Sequence, residues 1–588
     1  MLNFDLTALY ANWIRTMNDL QDTGCTVGTP DAHGHLNMSG YCWSYDAQGK
    51  GKLGACNRTN SYCCLPTPPS ANPLYPEISF CSPQYNQTDV AGSIPDIVPN
   101  HWGRGGSRGW PGAPTWSSAY VIIPGVILQY GRDGIEVISK HYDGIKAHMD
   151  FLARQATDEY GKGVPQFGML GDWCSIEAFC PGSSDGCLSD PGWTSGDATS
   201  AFYYVKDLEV LVQLANATGN HNDASKYSAS LEHARVAYHK VFFNTTSEDF
   251  GESQTGNALG ILASPKVEPG AVKRLLANLA NRSGHLSVGA VGARWILQAL
   301  TAANETAAAL DLATKKEAPS WYWFVENGPG TLHENWPSGP TPDGTTGGSQ
   351  NHPMFGGGVD VWIYHEVAGL RGPVSSRAGS TLRFGVESVI LDRVGAASAY
   401  SKLGGNTIAS AWVHDRAAST LFYNLTVPVM APATVGPAGV QAHVTIPTRI
   451  GESEAGLLEV REAGALVWSA ASGEGDERVV SVSGVGEARL QVGTAEVELL
   501  LPLGAGRYSF TARYGTPPQP TAAAAGSPPV AGDSIEIAPG VMMPLVANGY
   551  QPFPGNTATT LALIEWFKLG GRKGLRHNHA LTAPRLEF

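Results

Sequence analysis

The feature that most constrains this chain is a change of hydrophobic period near Gly372. Upstream, apolar residues recur with helical spacing. Residues 4–20 carry Leu6, Leu9, Trp13, Met17 and Leu20 on one side, and residues 119–130, 134–155, 198–218, 225–242, 271–280 and 292–312 also read as helices. Downstream, short runs such as residues 381–386, 442–447, 457–460 and 507–514 alternate apolar and polar, divided by Gly, Pro and Asp. Alternation of that kind makes half-buried strands. The pattern predicts many amphipathic helices joined by long loops, an α/α toroid, and then an antiparallel β-sandwich. It divides the chain into a helical part over residues 1–372 and a β part over 373–515. A Pro/Ala/Gly linker over 516–533 and a short tail over 534–588 follow.

Charge and composition exclude several classes of partner. The net charge is −13 and no basic stripe is visible, which argues against nucleic acid. No apolar run is long enough to span a bilayer, so no membrane partner is expected. The opening MLNFDLTALYANW lacks a basic start and a continuous apolar core, so no signal peptide is readable. All nine cysteines lie between Cys25 and Cys187: Cys25, Cys42, Cys56, Cys63, Cys64 and Cys81 in one loop-rich segment, Cys174, Cys180 and Cys187 in another. No histidine is spaced among them in a zinc-finger pattern. Disulfides stapling long loops are the better reading than free thiols: at least two bridges among Cys25–Cys81 and one within Cys174–Cys187. Glycosylation sequons stand at Asn37, Asn57, Asn86, Asn216, Asn244, Asn281, Asn304 and Asn424. Together with the cysteines they predict a secreted, extracellular glycoprotein whose leader precedes this sequence.

The chemistry concentrates in residues 319–355, PSWYWFVENGPGTLHENWPSGPTPDGTTGGSQNHPMF. Gly and Pro break this stretch throughout, so it reads as a series of loops rather than one helix. Trp321, Tyr322, Trp323 and Trp336 sit there among Glu326, Glu334, His333 and His352. Aromatic faces stack on the C–H faces of sugar rings, and a carboxylate activates water or donates a proton. That combination points to a carbohydrate; the plainer alternative is a polar surface loop with its aromatics in the core.

Four motifs carry a family resemblance. They are PTWSSAYVIIPGVILQYG (residues 114–131), GDW (171–173), PSWYWFVENGPGTLHENW (319–336) and QNHPMFGGGVDVWIYHEVAGL (350–370). With them, residues 1 to about 514 resemble glycoside hydrolase family 78, the α-L-rhamnosidases. The resemblance implies an (α/α)6 barrel and inverting cleavage of terminal α-L-rhamnose from a glycoside or polysaccharide. Such hydrolysis uses two carboxyl groups roughly 6.5–9.5 Å apart, one protonated and one ionised. No cofactor and no metal is expected.

Glu334 matches the family's general base in a Thr-(Leu/Ile)-x-Glu-x-Trp motif; the alternative for it is a loop salt bridge. Glu326 is the rival base, off the matched motif. His352 matches a histidine that hydrogen-bonds the sugar, or is a core histidine at a helix start. Asp172 and Trp173 match a pair lining the sugar pocket, or are a turn Asp with a buried Trp. Trp116 matches the PxW position. Trp321, Trp323 and Trp336 are assigned to substrate binding, with Trp321 and Trp323 equally readable as core. The family's general acid lies in a motif resembling Asp-Cys-Pro-x-Arg-x-Glu-Arg-x-Gly-Trp-x-Gly-Asp, shortly before the helix matched here by residues 3–21. No stretch of this sequence supplies it. The expectation is therefore an N-terminally truncated chain, with a catalytically silent sugar-binding fragment as the alternative function. Residues 540–575 weakly resemble the opening strand and helix of an aldo-keto reductase, without that family's catalytic Asp and Tyr.

Overall fold

The molecule is a computed structural model. It describes residues 112–130, 134–159, 162–165, 171–176, 194–327, 332–336, 355–376, 379–403, 406–429, 440–450 and 455–470. It also describes most of 482–515 and short pieces within 11–17 and at 42–45, 51–54, 92–95, 168, 534–538 and 541–544. All of these belong to one compact unit, Met1–Ala547.

The helices form where the apolar period predicts. Gly134–Arg154 buries Ile138, Tyr142, Ile145, Met149 and Leu152, spaced three or four apart, so one face meets the core. Gly196–Ala217 starts at Ser195, whose Oγ accepts from the Ala198 N–H at 3.3 Å. Three residues later the chain turns back into His221–Phe242, and the two pack as a hairpin. Gly125, next to Pro124 inside Ala119–Tyr130, allows close approach to Gly196–Ala217: a Cβ there would lie 2.7 Å from the Val210 side chain. Pro269–Asn281 begins with Pro at its first turn, where the missing N–H costs nothing.

Within the helical part, three segments differ from the sequence expectation. Residues 292–312, read as one helix, are two: Ala290–Ala302 and Thr306–Ala313. Asn304, at φ 63°, breaks them, because its left-handed backbone cannot continue a right-handed helix. The helix Gln254–Ala263 was not expected at all. It is buried on nearly every side, so it lacks a polar face, and Gly256 and Gly260 weaken its propensity; the Phe250 ring fills the space beside Gly260. Third, the aromatic stretch read as loops opens with a short helix, Trp321–Asn327.

After the helix Gly356–Trp362 and one wider turn, Ile363–Val367, the chain enters strands. A six-stranded sheet runs, in spatial order, Ala465–Ser469, Gly456–Glu462, Gly506–Gly515, Thr420–Val427, Asn406–Asp415 and Ala396–Leu403, all antiparallel. Burial alternates along Ala396–Leu403, as successive side chains of a strand point to opposite faces. A five-stranded sheet runs Arg489–Val492, Val497–Leu503, Val440–Pro447, Gly379–Gly385 and Leu370–Ser376. Its Gly379–Gly385/Val440–Pro447 pair is parallel. The chain between those two strands holds the helix Ser388–Val394 and three strands of the other sheet, long enough for the return a parallel pair needs. Tyr514 Oη donates to the Pro447 carbonyl at 3.0 Å, tying one sheet to the other. Trp412 Nε1 donates to Val367 O at 2.9 Å and Ser410 Oγ to Ala368 O at 2.6 Å, so the six-stranded sheet is bonded to the last turn of the helical part.

Of the tail, the structure describes an antiparallel hairpin, Ser534–Ala538 with Val541–Pro544. The rest of the reductase-like stretch lies outside the described residues, as do all cysteines of the Cys25–Cys81 cluster except Cys42. Among the described residues no helix is long and apolar enough to cross a membrane.

Candidate active site

The segment Ser287–Gly292 organises the site, and two distant stretches of chain are bonded to it. The first is the turn at Gly171–Ser175. Gly171 and Cys174 both take left-handed backbone, at φ 53° and φ 60°. The turn is held by Asp172 N–H on Thr194 O at 3.0 Å, Ser175 Oγ on Ser287 O at 3.2 Å and Ala290 N–H on Trp173 O at 2.8 Å. Gly289 is required by this contact: a Cβ there would meet Trp173 O at 2.3 Å and Asp172 O at 2.5 Å.

Asp172 locks the same pair of elements with its side chain. Its Oδ1 accepts from Val291 N–H at 2.9 Å and Gly292 N–H at 3.0 Å. Its Oδ2 accepts from Gly289 N–H at 2.8 Å and from the Thr255 hydroxyl. The three N–H groups stand at the start of the helix Ala290–Ala302, its positive end, where donors lack partners within the helix. Asp172 is 1 % exposed. Burial raises its pKa, and the Thr255 and backbone donors oppose that rise. Both carboxylate oxygens are thus committed inside the protein.

The second stretch is residues 332–336. Trp336 Nε1 donates to Val288 O at 2.7 Å, and its ring lies 4.3 Å from Phe355, 5.5 Å from Phe324 and 5.7 Å from Trp321, centroid to centroid. Trp321 Nε1 donates to Phe355 O at 2.8 Å. His333 is buried with its ring 5.2 Å from Phe324, and burial lowers its pKa. Trp321, Trp323 and Trp336 are 5–7 % exposed. Their rings form the wall behind the loop, which is the core reading of the aromatic stretch.

The two stretches meet at Glu334. It is half-buried, and Trp173 Nε1 donates to its Oε1 at 3.4 Å across 161 residues of sequence. Glu326, by contrast, is exposed near the end of its short helix and accepts from Tyr322. Cys174 carries a free thiol beside this pair. Burial, then the Glu334 and Asp172 charges, push its pKa up to about 12. Cys180 and Cys187 lie outside the described residues, as does His352. Trp116 is half-buried in the helix Pro114–Ser117, whose Thr115 hydroxyl bonds Thr199 at 2.8 Å and Ser200 at 3.2 Å.

Sequence reading missed the residues beneath the site. Gln254 Oε1 accepts from Ser287 N–H at 2.8 Å, and Gln254 Nε2 donates to His285 O at 3.1 Å. Ser253 caps its own helix through Gly256 N–H at 2.8 Å and bonds Thr194 Oγ1 at 2.6 Å. The available signal was SVGAVG at residues 287–292, small residues that let a turn approach a helix start.

The arrangement offers a half-buried carboxylate on a rigid aromatic wall, with an indole donor fixing one oxygen. Such a group can take a proton from water held beside it.

Comparison with known proteins identifies the family of the domain that carries these residues. The model of the bacterial alpha-L-rhamnosidase six-hairpin glycosidase domain matches residues 69–367, about half of the chain. An alpha-L-rhamnosidase of Streptomyces avermitilis is 26% identical over 272 residues, 44% of this chain and 24% of that protein. One of Formosa agariphila is 24% identical over 377 residues, 63% of this chain and 37% of that protein. Among solved structures, the alpha-L-rhamnosidase from Dictyoglumus thermophilum superposes with a TM-score of 0.54 at 25% identity, over 72% of this chain and 41% of that one. The Streptomyces avermitilis enzyme, solved with L-rhamnose, shares the fold at a TM-score of 0.52 and 20% identity, over 71% of this chain and 34% of that one. The chain thus spans well under half the length of these relatives. The matched span contains the Gly171–Ser175 turn, the Ser287–Gly292 segment and Glu334, and on that match this chain belongs to the bacterial alpha-L-rhamnosidase six-hairpin glycosidase family.

Proposed function

We propose that this chain forms the sugar pocket of an inverting α-L-rhamnosidase acting on terminal α-L-rhamnose, with Glu334 as the general base. The observation that carries the reading is the Trp173–Glu334 contact, which joins two matched motifs at one carboxylate. Glu334 then takes a proton from the water that attacks the anomeric carbon, while a protonated carboxyl on the opposite face donates to the departing oxygen. Asp172 is not that acid in this reading, because its oxygens hold four donors. His352 and Trp116 complete the sugar contacts, and Trp321, Trp323 and Trp336 support the loop. The described helices within residues 1–372 form part of an (α/α)6 toroid, and the strands within 373–515 a β-sandwich. Asn244, Asn281 and Asn304 are exposed, in keeping with a secreted glycoprotein.

The test is hydrolysis of nitrophenyl α-L-rhamnoside, whose leaving group departs with little acid help. Proton NMR of the first-formed rhamnose should show the inverted anomer, and Glu334→Gln should lower the rate by about 10²–10⁴-fold. A retained anomer, or full activity in Glu334→Gln, would overturn the assignment.

A second reading is a catalytically silent rhamnose-binding protein. The sequestration of Asp172, the carboxylate that shares the neighbourhood of Cys174 with Glu334, favours it. Rhamnose binding by calorimetry without turnover of the nitrophenyl substrate would select it.

A further inference from the structure

The helix Gln254–Ala263 has no sugar-facing role in the reading above, yet its first turn holds the floor of the site. Three consecutive residues act on three neighbouring segments. Ser253 bonds Thr194, whose carbonyl receives the Asp172 N–H. Gln254 takes the Ser287 N–H and gives an N–H to His285 O. The Thr255 hydroxyl donates to Asp172 Oδ2. Thr255 is 2 % exposed, and a Cβ on Gly292 would lie 2.1 Å from its Oγ1. The helix Ala290–Ala302 therefore passes directly over that hydroxyl.

We propose that Thr255 is a positioning residue for this site: through Asp172 it clamps the Gly171–Ser175 turn to the start of the helix Ala290–Ala302, and so sets Trp173 against Glu334. The chain of contacts is continuous. Thr255 bonds Asp172, Asp172 bonds three N–H groups at the helix start, Ala290 N–H bonds Trp173 O, and Trp173 Nε1 bonds Glu334. Thr255 touches no reacting atom; its hydroxyl fixes the angle of the turn. Small displacements of a catalytic carboxylate or its donor are costly, because the reacting atoms must stay in near-attack geometry. The catalytic half of this proposal rests on Glu334 as general base.

Thr255→Val keeps the shape and removes the hydroxyl, while Thr255→Ser keeps the hydroxyl. With nitrophenyl α-L-rhamnoside, Thr255→Val should lower kcat about 10-fold with KM within about twofold, and Thr255→Ser should restore it. In a Trp173→Phe background the further loss from Thr255→Val should shrink below about twofold, because the two residues act through one contact. Additive losses mark a general structural role and would overturn the proposal.

Alkylation of Cys174, followed by mass spectrometry of its peptide, reads the turn without any turnover. Thr255→Val should speed it about 10-fold, since native cysteine access follows local opening, and Thr255→Ser should not. Wild-type labelling in both variants would overturn the clamp. If labelling responds as expected but the wild-type chain hydrolyses no rhamnoside, the general-base reading fails and the clamp stands.

Discussion

Trp173 and Glu334 stand 161 positions apart in the sequence, and the Trp173 indole N–H donates to a Glu334 carboxylate oxygen at 3.4 Å. Each partner is bonded separately to Ser287–Gly292: Trp173 through its carbonyl to Ala290 N–H, and the Glu334 loop through Trp336 to Val288 O. The contact is therefore the product of two independent anchors on one rail.

Replacing Trp173 with Phe keeps a ring in place and removes the donor. Glu334 loses one fixed hydrogen bond and gains freedom to rotate. We expect kcat on nitrophenyl α-L-rhamnoside to fall about 5–20-fold, or about 1–2 kcal/mol, the scale of one hydrogen bond. Unchanged kcat in steady-state assays would show that the contact does not orient the base.

Asp172→Ala leaves three buried N–H groups at a helix start with no carboxylate to receive them. Loss of a cap costs about 0.5–2 kcal/mol, and unsatisfied buried donors add to it. We expect a loss of about 3 kcal/mol in denaturant unfolding, with Asp172→Asn intermediate because its NH2 faces donors. A loss below about 0.5 kcal/mol would contradict the anchoring role.

The Cys174 thiol should be slow to alkylate at pH 8 in the native protein. Its pKa is pushed up to about 12 by burial and then by the Glu334 and Asp172 charges, and the thiolate is the reactive species. Glu334→Gln removes one of those charges and should speed labelling several-fold. Peptide mass spectrometry after timed iodoacetamide treatment separates Cys174 from the other cysteines; labelling at the denatured rate would refute this picture.

Acid should weaken the helical part through its buried histidines. His148 is fully buried between Tyr120 and Phe151, with Nδ1–H on Gly92 O at 3.3 Å, and burial pushes its pKa down to about 4. Its folded pKa lies below the unfolded value near 6.5, so unfolding takes up a proton between the two. The stability it contributes is present above about pH 6.5 and is lost as pH falls toward 4, by about 3 kcal/mol in all. His365, pushed down by burial and then by Arg371, Arg294 and Arg383, acts in the same direction. Denaturant midpoints at pH 7 and 4.5 should show the loss, and His148→Gln should flatten it.

Much of the architecture was readable in the one-dimensional pattern, because period is a local property. A helix face or a pleated strand repeats every 3.6 or 2 residues whatever it packs against, so Gly134–Arg154 and Gly506–Gly515 carry their own signatures. The helix Gln254–Ala263 does not, since a segment buried on nearly every side has no polar face to set a period. The motifs likewise marked Glu334 and Asp172, which stand in distinctive residue strings.

Residue type and spacing established by themselves a helical chain that turns to strands near residue 372, and a carboxylate set among aromatics. Only the tertiary structure decided what each of those residues does. Asp172 and Glu334 are both carboxylates in matched motifs, yet one is sealed under four donors and the other stands half-buried beside an indole N–H. Trp321 and Trp336 carry the same side chain as Trp173, and they became core because their N–H groups found carbonyls inside the protein. The physical reason is that burial and hydrogen-bond partners are supplied by segments distant in sequence, here Thr255 and Ser287–Gly292, and a local string of letters contains neither.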